Sequence, residues 1–345
     1  MKKHIAVWLD RAEGPFAVRD GHRAALAFAA ASGGLVTAVM AAAPDDVFAP
    51  SLAEELARYG AKRIARLRLA PENSRNPEAL AAAFAWALDQ EFFTATPVTD
   101  MVTTANAAGR DFMARVASRR NAPLLQDCVA VDFDAGTGEK YLLQGRTCGV
   151  YSLPGPVRCW TLRPHAFACV AADKLPPAAP AVIADMAPPA AKTGVRPSAA
   201  AQKELGQTET DPLARMWAAQ PDIMETPVII SGGRALESAE NFRLLHETAA
   251  PLHAAVGASR SAVDMGYAPP FVQVGQTGVV VSPELYIACG ISGSIFHTTG
   301  IKGARTVVAV NKDSGAQIFS RADYGITDDL FTVLPLLRRL LESGA

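Results

Sequence analysis

Apolar runs and helical faces alternate along most of the chain. Ile5-Ala6-Val7-Trp8-Leu9 reads as a first strand. His22 to Ala31 reads as an alanine-rich helix closed by Gly33-Gly34, and Leu35 to Met40 as a buried strand. Strand, helix and strand in this span make a βαβ unit with a right-handed crossover. Leu52 to Tyr59 reads as a short helix ended by Gly60. Arg63 to Leu69 alternates basic and apolar residues, as an exposed strand does, and Glu78 to Phe92 reads as a helix. Asp111 to Arg120 places Phe112, Met113 and Val116 at helical spacing. Pro123-Leu124-Leu125 opens a short strand, and Cys128 to Thr161 is strand-rich.

The pattern stops after Lys174. Six prolines interleaved with alanine, from Pro176 to Pro197, cannot form a helix or a central strand. The chain therefore divides into an N-terminal α/β domain with some antiparallel strands over residues 1–185, a Pro/Ala-rich linker over 186–210 and a C-terminal domain over 211–345. In that last part Pro227 to Ile230 is a strand, and Ser238 reads as the N-cap of a helix with Leu244, Leu245, Ala249, Leu252 and Val256 on one face. Val279-Val280-Val281 reads as a strand, Ser282-Pro283-Glu284 as a helix start and Thr306 to Val310 as a strand. Asp328 and Asp329 open a final helix with Leu330, Leu334, Leu337 and Leu341 on one face. Strands alternating with helices make this a parallel-sheet α/β domain, with a ligand expected at the carboxyl ends of its strands.

Composition narrows the function classes. A net charge of −1 with no block of like charge gives no footprint for nucleic acid or an anionic membrane surface. Five cysteines, none in a C-x-x-C pair, suit reduced thiols rather than a disulfide frame, and Cys289 reads as a packed small thiol. His246 and His253 are seven apart, which is not metal spacing, so no metal is expected. His4 to Leu9 is too short for a signal-peptide core, and without a targeting segment the expected location is the cytoplasm.

Candidate chemistry gathers between Ser231 and Leu330. Gly232-Gly233-Arg234 follows a strand, and its guanidinium can clamp a phosphate or carboxylate. A turn followed by a surface arginine explains the same residues. Ser259-Arg260 sets a hydroxyl beside a guanidinium, and Gln276-Thr277 sits between Gly275 and Gly278. Ser292-Gly293-Ser294 leads to His297, and Val310-Asn311-Lys312-Asp313 follows a strand. Such loops present backbone N–H groups to an anion. The glycine spacing matches neither the dinucleotide fingerprint nor the P-loop, and no G-x-S-x-G or paired acid and base is seen. The residues suit a large planar anionic cofactor. An electron carrier, a stand-alone nucleotide-cofactor-dependent oxidoreductase and a non-catalytic nucleotide-binding regulator all remain open on these residues alone.

Gly232 to Arg234, Leu252 to Arg260, Gln273 to Gly278, Pro283 to Ala288, Gly290 to Gly293 and Ala322 to Gly325 together resemble the α subunit of electron-transfer flavoprotein. The likeness is nearly continuous from Val228 to Leu341. Before the linker it rests on Asn106 to Asp127 and Thr161 to Phe167. The resemblance implies an FAD-containing electron carrier rather than an enzyme, working as an αβ heterodimer. One FAD per dimer would lie chiefly in the α subunit's C-terminal domain, with AMP in the β subunit and not in this chain. It implies flavin-dependent dehydrogenases as donors and electron-transfer flavoprotein–quinone oxidoreductase in the membrane as acceptor. Carried onto this sequence, Arg234, Ser259, Arg260, Gln276, Thr277, Ser292, Gly293, Ser294, Ile295, His297, Asn311, Asp329 and Leu330 would line the FAD. Arg260 would lie against the isoalloxazine, Thr277 near N5 and His297 near the O2 edge. Ser292 to Ile295 would meet the phosphates, and Asn311 with Asp329-Leu330 the adenosine end. Arg260 and His297 would supply positive potential where the flavin gains charge. Phe296 stands where the family usually has a polar residue.

Overall fold

The computed structural model describes residues 3–10, 18–71, 73–74, 76–143, 147–164, 166–167, 179–189 and 212–343. The chain forms two compact units, Met1–Val195 and Arg196–Ala345. Residues 190–210 of the expected linker, and Cys169, lie outside the described residues.

The first unit is built on a seven-stranded parallel sheet. Its strands are β1 (His4–Leu9), β2 (Leu35–Ala42), β3 (Arg63–Arg68), β4 (Asp100–Thr104), β5 (Leu124–Cys128), β9 (Arg158–Leu162) and β10 (Val182–Met186). The order is β10-β3-β2-β1-β4-β9-β5. The antiparallel addition is a separate three-stranded sheet of β6 (Ala130–Asp132), β7 (Thr137–Leu142) and β8 (Thr147–Ser152). β1 is buried at every position because helices cover both faces of a parallel sheet. Apolar clusters pack on each side, one around Phe84, Phe93 and Phe112 and the other around Leu26, Leu56 and Trp160.

Three expectations change here. Arg63 to Leu69 does not form an exposed strand, because β3 runs between β2 and β10. Arg66 is 3% exposed and keeps its charge partnered through Asp46 O at 2.6 Å and Asp185 at 3.3 Å. Part of the proline-rich stretch is ordered, since Val182–Met186 adds β10 to the sheet edge, where a proline-flanked strand is tolerated. The helix expected over Glu78 to Phe92 is interrupted, with one helix over Pro77–Ala87 and a short turn over Glu91–Thr94. Asn76 caps the first of these, accepting from Glu78 N at 2.9 Å and Ala79 N at 3.2 Å. Asn76→Ala is expected to cost about 1 kcal/mol in chemical denaturation.

The second unit carries a five-stranded parallel sheet, ordered β12-β11-β13-β14-β15. Its strands are β11 (Val228–Gly232), β12 (Ala255–Ala258), β13 (Leu285–Cys289), β14 (Thr306–Val310) and β15 (Tyr324–Ile326). β12 lies on one side of β11 and β13 on the other, so the connections diverge at the carboxyl ends of β11 and β13. A crevice opens where strand order reverses.

Local readings are corrected in this unit as well. The helix from Phe242 stops at Ala249, and Val256 belongs to β12. Val256 pairs with Ile230, and the ladder outweighs the helical spacing. Ser238 caps the preceding turn, accepting from Asn241 N at 3.2 Å. Ser282-Pro283-Glu284 leads into β13 rather than a helix, because Tyr286 and Ile287 pair with strands on both sides. Val279 makes only an isolated bridge to Val274. Cys289 is fully buried and burial pushes its thiol up to about 12, so it packs as a small apolar group. Among the described residues no helix is long and apolar enough to cross a membrane.

Candidate functional site

Two glycines form the floor of the crevice. Gly233 N donates to Cys289 O at 2.9 Å, holding the ends of β11 and β13 together. A Cβ on Gly233 would lie 2.0 Å from Gly290 O. Gly290 itself has φ +62, a left-handed conformation that suits glycine. The absence of side chains lets the two backbones cross and leaves space above them.

That space is a cleft of about 970 Å³ at the carboxyl ends of the sheet. It lies at the upper end of the range for small-molecule sites. Arg234 reaches it from the turn after β11. Ser259 and Arg260 reach it from the end of β12, Gln276 and Thr277 from the following loop, Ser292, Ser294 and His297 from the segment after β13, and Asn311 from the end of β14. Asp329 and Leu330 line an adjoining cavity of about 240 Å³, which shares Ala235, Glu237, Gly290, Asn311 and Lys312 with the main cleft. Gly293 and Ile295 belong to the loop between Ser292 and His297 but do not line either space.

Local chemistry accounts for these positions. Ser259 Oγ accepts from Ala262 N at 3.3 Å, capping the turn that carries Arg260. Arg260 is exposed at the rim and pairs with Asp264 at 3.4 Å. Gln273 Nε2 donates to Thr277 Oγ1 at 2.9 Å, while Gln276 N donates to Phe296 O at 2.7 Å. Asn311 Nδ2 donates to Ile291 O at 3.0 Å, and its Oδ1 accepts from Asp313 N at 3.0 Å. Asp329 Oδ1 caps the last helix through Phe331 N at 2.9 Å.

His297 differs from the expectation. It is 5% exposed, and burial pushes its imidazole down to about 4 against a smaller upward pull from the Val274 backbone. It is therefore neutral at neutral pH, because a desolvated cation is disfavoured. The charged groups lining the cleft are Arg234, Arg260 and Lys312 together with Glu237, Asp264 and Asp313. His297 Nε2 lies 3.0 Å from Tyr286 Oη, and the ring also interacts with the Val274 backbone.

Sequence reading passed over Asp264 and Glu237 and did not count Lys312 or Phe296 among the cofactor-lining residues, yet all four line the cleft. Lys312 was adjacent to Asn311 in a run already singled out. Asp264 had a signal in its i,i+4 spacing from Arg260. Glu237 had none, since it reaches the cleft only through a turn of left-handed conformation, φ +67. Among the described residues no group of three or more His, Cys, Asp or Glu side chains could hold a metal.

The cleft suits an extended anionic cofactor. It shares lining residues with the adjoining cavity and offers guanidinium, ammonium, amide and hydroxyl groups.

Comparison with known proteins gives an independent view. The family profile described as "Electron transfer flavoprotein FAD-binding domain" matches residues 222–302, and "Electron transfer flavoprotein domain" matches residues 17–193. The chain is 38% identical over 233 residues to electron transfer flavoprotein subunit alpha of Paracoccus denitrificans, covering 68% of this chain and 70% of that protein. It is 34% identical over 294 residues to a probable mitochondrial subunit alpha of Caenorhabditis elegans, covering 85% and 82%. Over a shorter stretch of 124 residues it is 55% identical to the mitochondrial subunit alpha of Arabidopsis thaliana, covering 36% of this chain and 34% of that protein.

Proposed function

This chain belongs to the electron transfer flavoprotein subunit alpha family, and from that premise we propose that it carries one FAD within an αβ heterodimer. It takes electrons from flavin-dependent dehydrogenases and hands them singly to a membrane quinone oxidoreductase. The β subunit holds AMP. The observation that carries the reading is the cleft, which brings Arg234, Ser259, Arg260, Gln276, Thr277, Ser292, Ser294, His297 and Asn311 around one volume.

FAD would supply the redox chemistry when bound, and this chain's residues would hold and tune it. Ser292 and Ser294 offer hydroxyls to phosphate, and Asn311 with Asp329-Leu330 frames the adenosine end through the adjoining cavity. Thr277 is oriented by Gln273 before any ligand arrives. Arg260 is the residue for charge. Its pairing with Asp264 is an exposed i,i+4 contact of small energetic weight, so the guanidinium is free to be recruited. Membership of the electron transfer flavoprotein subunit alpha family favours a carrier over a stand-alone oxidoreductase.

The test is co-expression with the β-type subunit, followed by an absorption spectrum and analysis of the cofactor released on denaturation. A yellow complex releasing FAD is expected, and a colourless one overturns the reading. Within that complex Arg260→Ala is expected to retain FAD and lower the flavin midpoint potential by about 60 mV, a tenfold change in a one-electron equilibrium. A fixed cation over the ring stabilises added negative charge. An unchanged potential in a redox titration would remove Arg260 from this role.

A further inference from the structure

Glu237 stands where the two spaces of the C-terminal unit meet. Ala235, Glu237, Gly290, Asn311 and Lys312 border both the main cleft and the adjoining cavity. Glu237 is also held in a left-handed backbone conformation, φ +67 and ψ −25. The other described non-glycine residues of positive φ are Asn121, Asp127, Leu143 and His253, and none of them borders either space. Asparagine, aspartate and histidine enter this region more readily than glutamate, whose longer side chain gives it no local stabilisation there.

The turn enforces the conformation. Glu237 N donates to Arg234 O at 3.0 Å, and Ser238 N donates to Leu236 O at 2.8 Å. Asn241 Nδ2 donates to the same carbonyl at 2.7 Å, and the Leu236 side chain is fully buried. Chain fixed on both sides of Glu237 leaves its backbone no relaxed alternative, so glycine is the residue that local geometry favours. A strained residue kept at the junction of two ligand-sized spaces points to a use for its side chain.

That side chain is an exposed carboxylate with no hydrogen bond or ion pair to any described residue. The Lys312 ammonium borders the same space and is likewise unpaired, so the two do not neutralise each other. The adjoining cavity, about 240 Å³, lies below the range for a whole drug-sized ligand and takes one end of a longer molecule. An ionised carboxylate only accepts hydrogen bonds, so it attracts hydroxyl donors and repels phosphate. Ribose offers such donors on neighbouring carbons, and an acidic side chain is their acceptor in dinucleotide sites at a strand-order reversal.

We infer that Glu237 is a specificity residue for the cofactor's nucleoside end: its carboxylate accepts from the vicinal hydroxyls of the adenosine ribose and excludes an adenosine that carries a further phosphate there. This rests on reading the cleft as the FAD site. The residue acts on which cofactor is held and not on the flavin's potential.

The experiment uses the full chain in its complex with the β-type subunit, freed of FAD. It measures how strongly ADP, 2′,3′-dideoxy-ADP, inosine diphosphate and 2′-phospho-ADP compete with FAD uptake. The parent is expected to bind ADP about tenfold more tightly than the dideoxy analogue, as for loss of a hydrogen bond to a charged group. Inosine diphosphate should match ADP, and 2′-phospho-ADP should bind more weakly than ADP. Glu237→Ala should abolish the preference for ADP over the dideoxy analogue, and Glu237→Lys should make 2′-phospho-ADP the tighter ligand. Glu237→Gly should lose the same preference while raising the urea midpoint of the FAD-free complex, because the strain is relieved; a merely structural glutamate would lower it. Equal binding of ADP and its dideoxy analogue by the parent needs no variant and would overturn the inference. So would a preference that survives in Glu237→Ala, or discrimination that follows loss of the adenine amine instead of the hydroxyls. In each of these cases FAD uptake, and with it the cofactor reading, stands. A complex that takes up no FAD overturns the cofactor reading and the inference with it.

Discussion

Gly233→Ala is expected to abolish FAD retention and to destabilise the C-terminal unit by about 2–3 kcal/mol. The added Cβ would lie 2.0 Å from Gly290 O, 2.6 Å from Gly290 C and 3.0 Å from Ile291 Cα. All three are backbone atoms, so no side chain can swing aside. Relief requires the ends of β11 and β13 to separate, which breaks the bond from Gly233 N to Cys289 O. That movement carries Arg234 away from Ser292 and opens the floor of the cleft. Gly315→Ala is the control, because it also borders the cleft but its Cβ would meet only Asp313 Oδ1 at 3.3 Å. Cofactor content of the purified heterodimer, with urea unfolding of each variant, measures both effects. Full FAD content in Gly233→Ala, with stability within about 0.5 kcal/mol of the parent, would refute the structural role given to this crossing.

Acid is expected to weaken the C-terminal unit well before its carboxylates titrate. Burial lowers both His297 and His246 from the ordinary 6.5 to about 4. The unfolded chain therefore binds protons at these positions before the folded one does. The stability they contribute is fully present above pH 6.5 and is lost as pH falls through the window down to about 4. Each imidazole accounts for about 1.4 kcal/mol per pH unit within that window, or roughly 3 kcal/mol across it. His246 packs edge-on against Trp217 at 4.6 Å and leaves Nε2 buried without a partner. His246→Leu should keep that apolar packing and about halve the acid slope. Hydrogen exchange of the β11 and β13 amides at pH 7, 6 and 5 isolates this unit from the N-terminal one, where His4 and His22 are also lowered. Exchange protection that is constant from pH 7 to 5 would contradict the burial of both rings.

Period and capping chemistry made much of the fold legible. β1, β2, β14 and the last helix with its Asp329 cap lie where alternation, apolar runs and an acidic N-cap place them. The glycine-dense loops were legible too, because glycine beside hydroxyl and amide residues marks backbone that must approach something closely. The family likeness then converted a set of anion-friendly loops into an ordered list of positions. Sequence could not decide Val256, Pro283 or Arg66, since each depends on which strand lies alongside. A helical spacing yields to a two-sided ladder, and a basic residue is buried once its charge is partnered.

The same division holds for the site. By itself the sequence determined the chemical inventory: which loops carry hydroxyls, amides and guanidinium groups, and that they follow successive strands of a parallel sheet. Tertiary structure decided how that inventory behaves. It split the space into a main cleft and an adjoining cavity and put Lys312 and Arg260 on the lining of the same cleft. It also made His297 a neutral ring tied to Tyr286 instead of the source of positive potential that the family resemblance implied. The physical reason is that residue type sets which proton a group can exchange, whereas burial and the nearest partner, both products of packing across distant segments, set whether it does so at neutral pH.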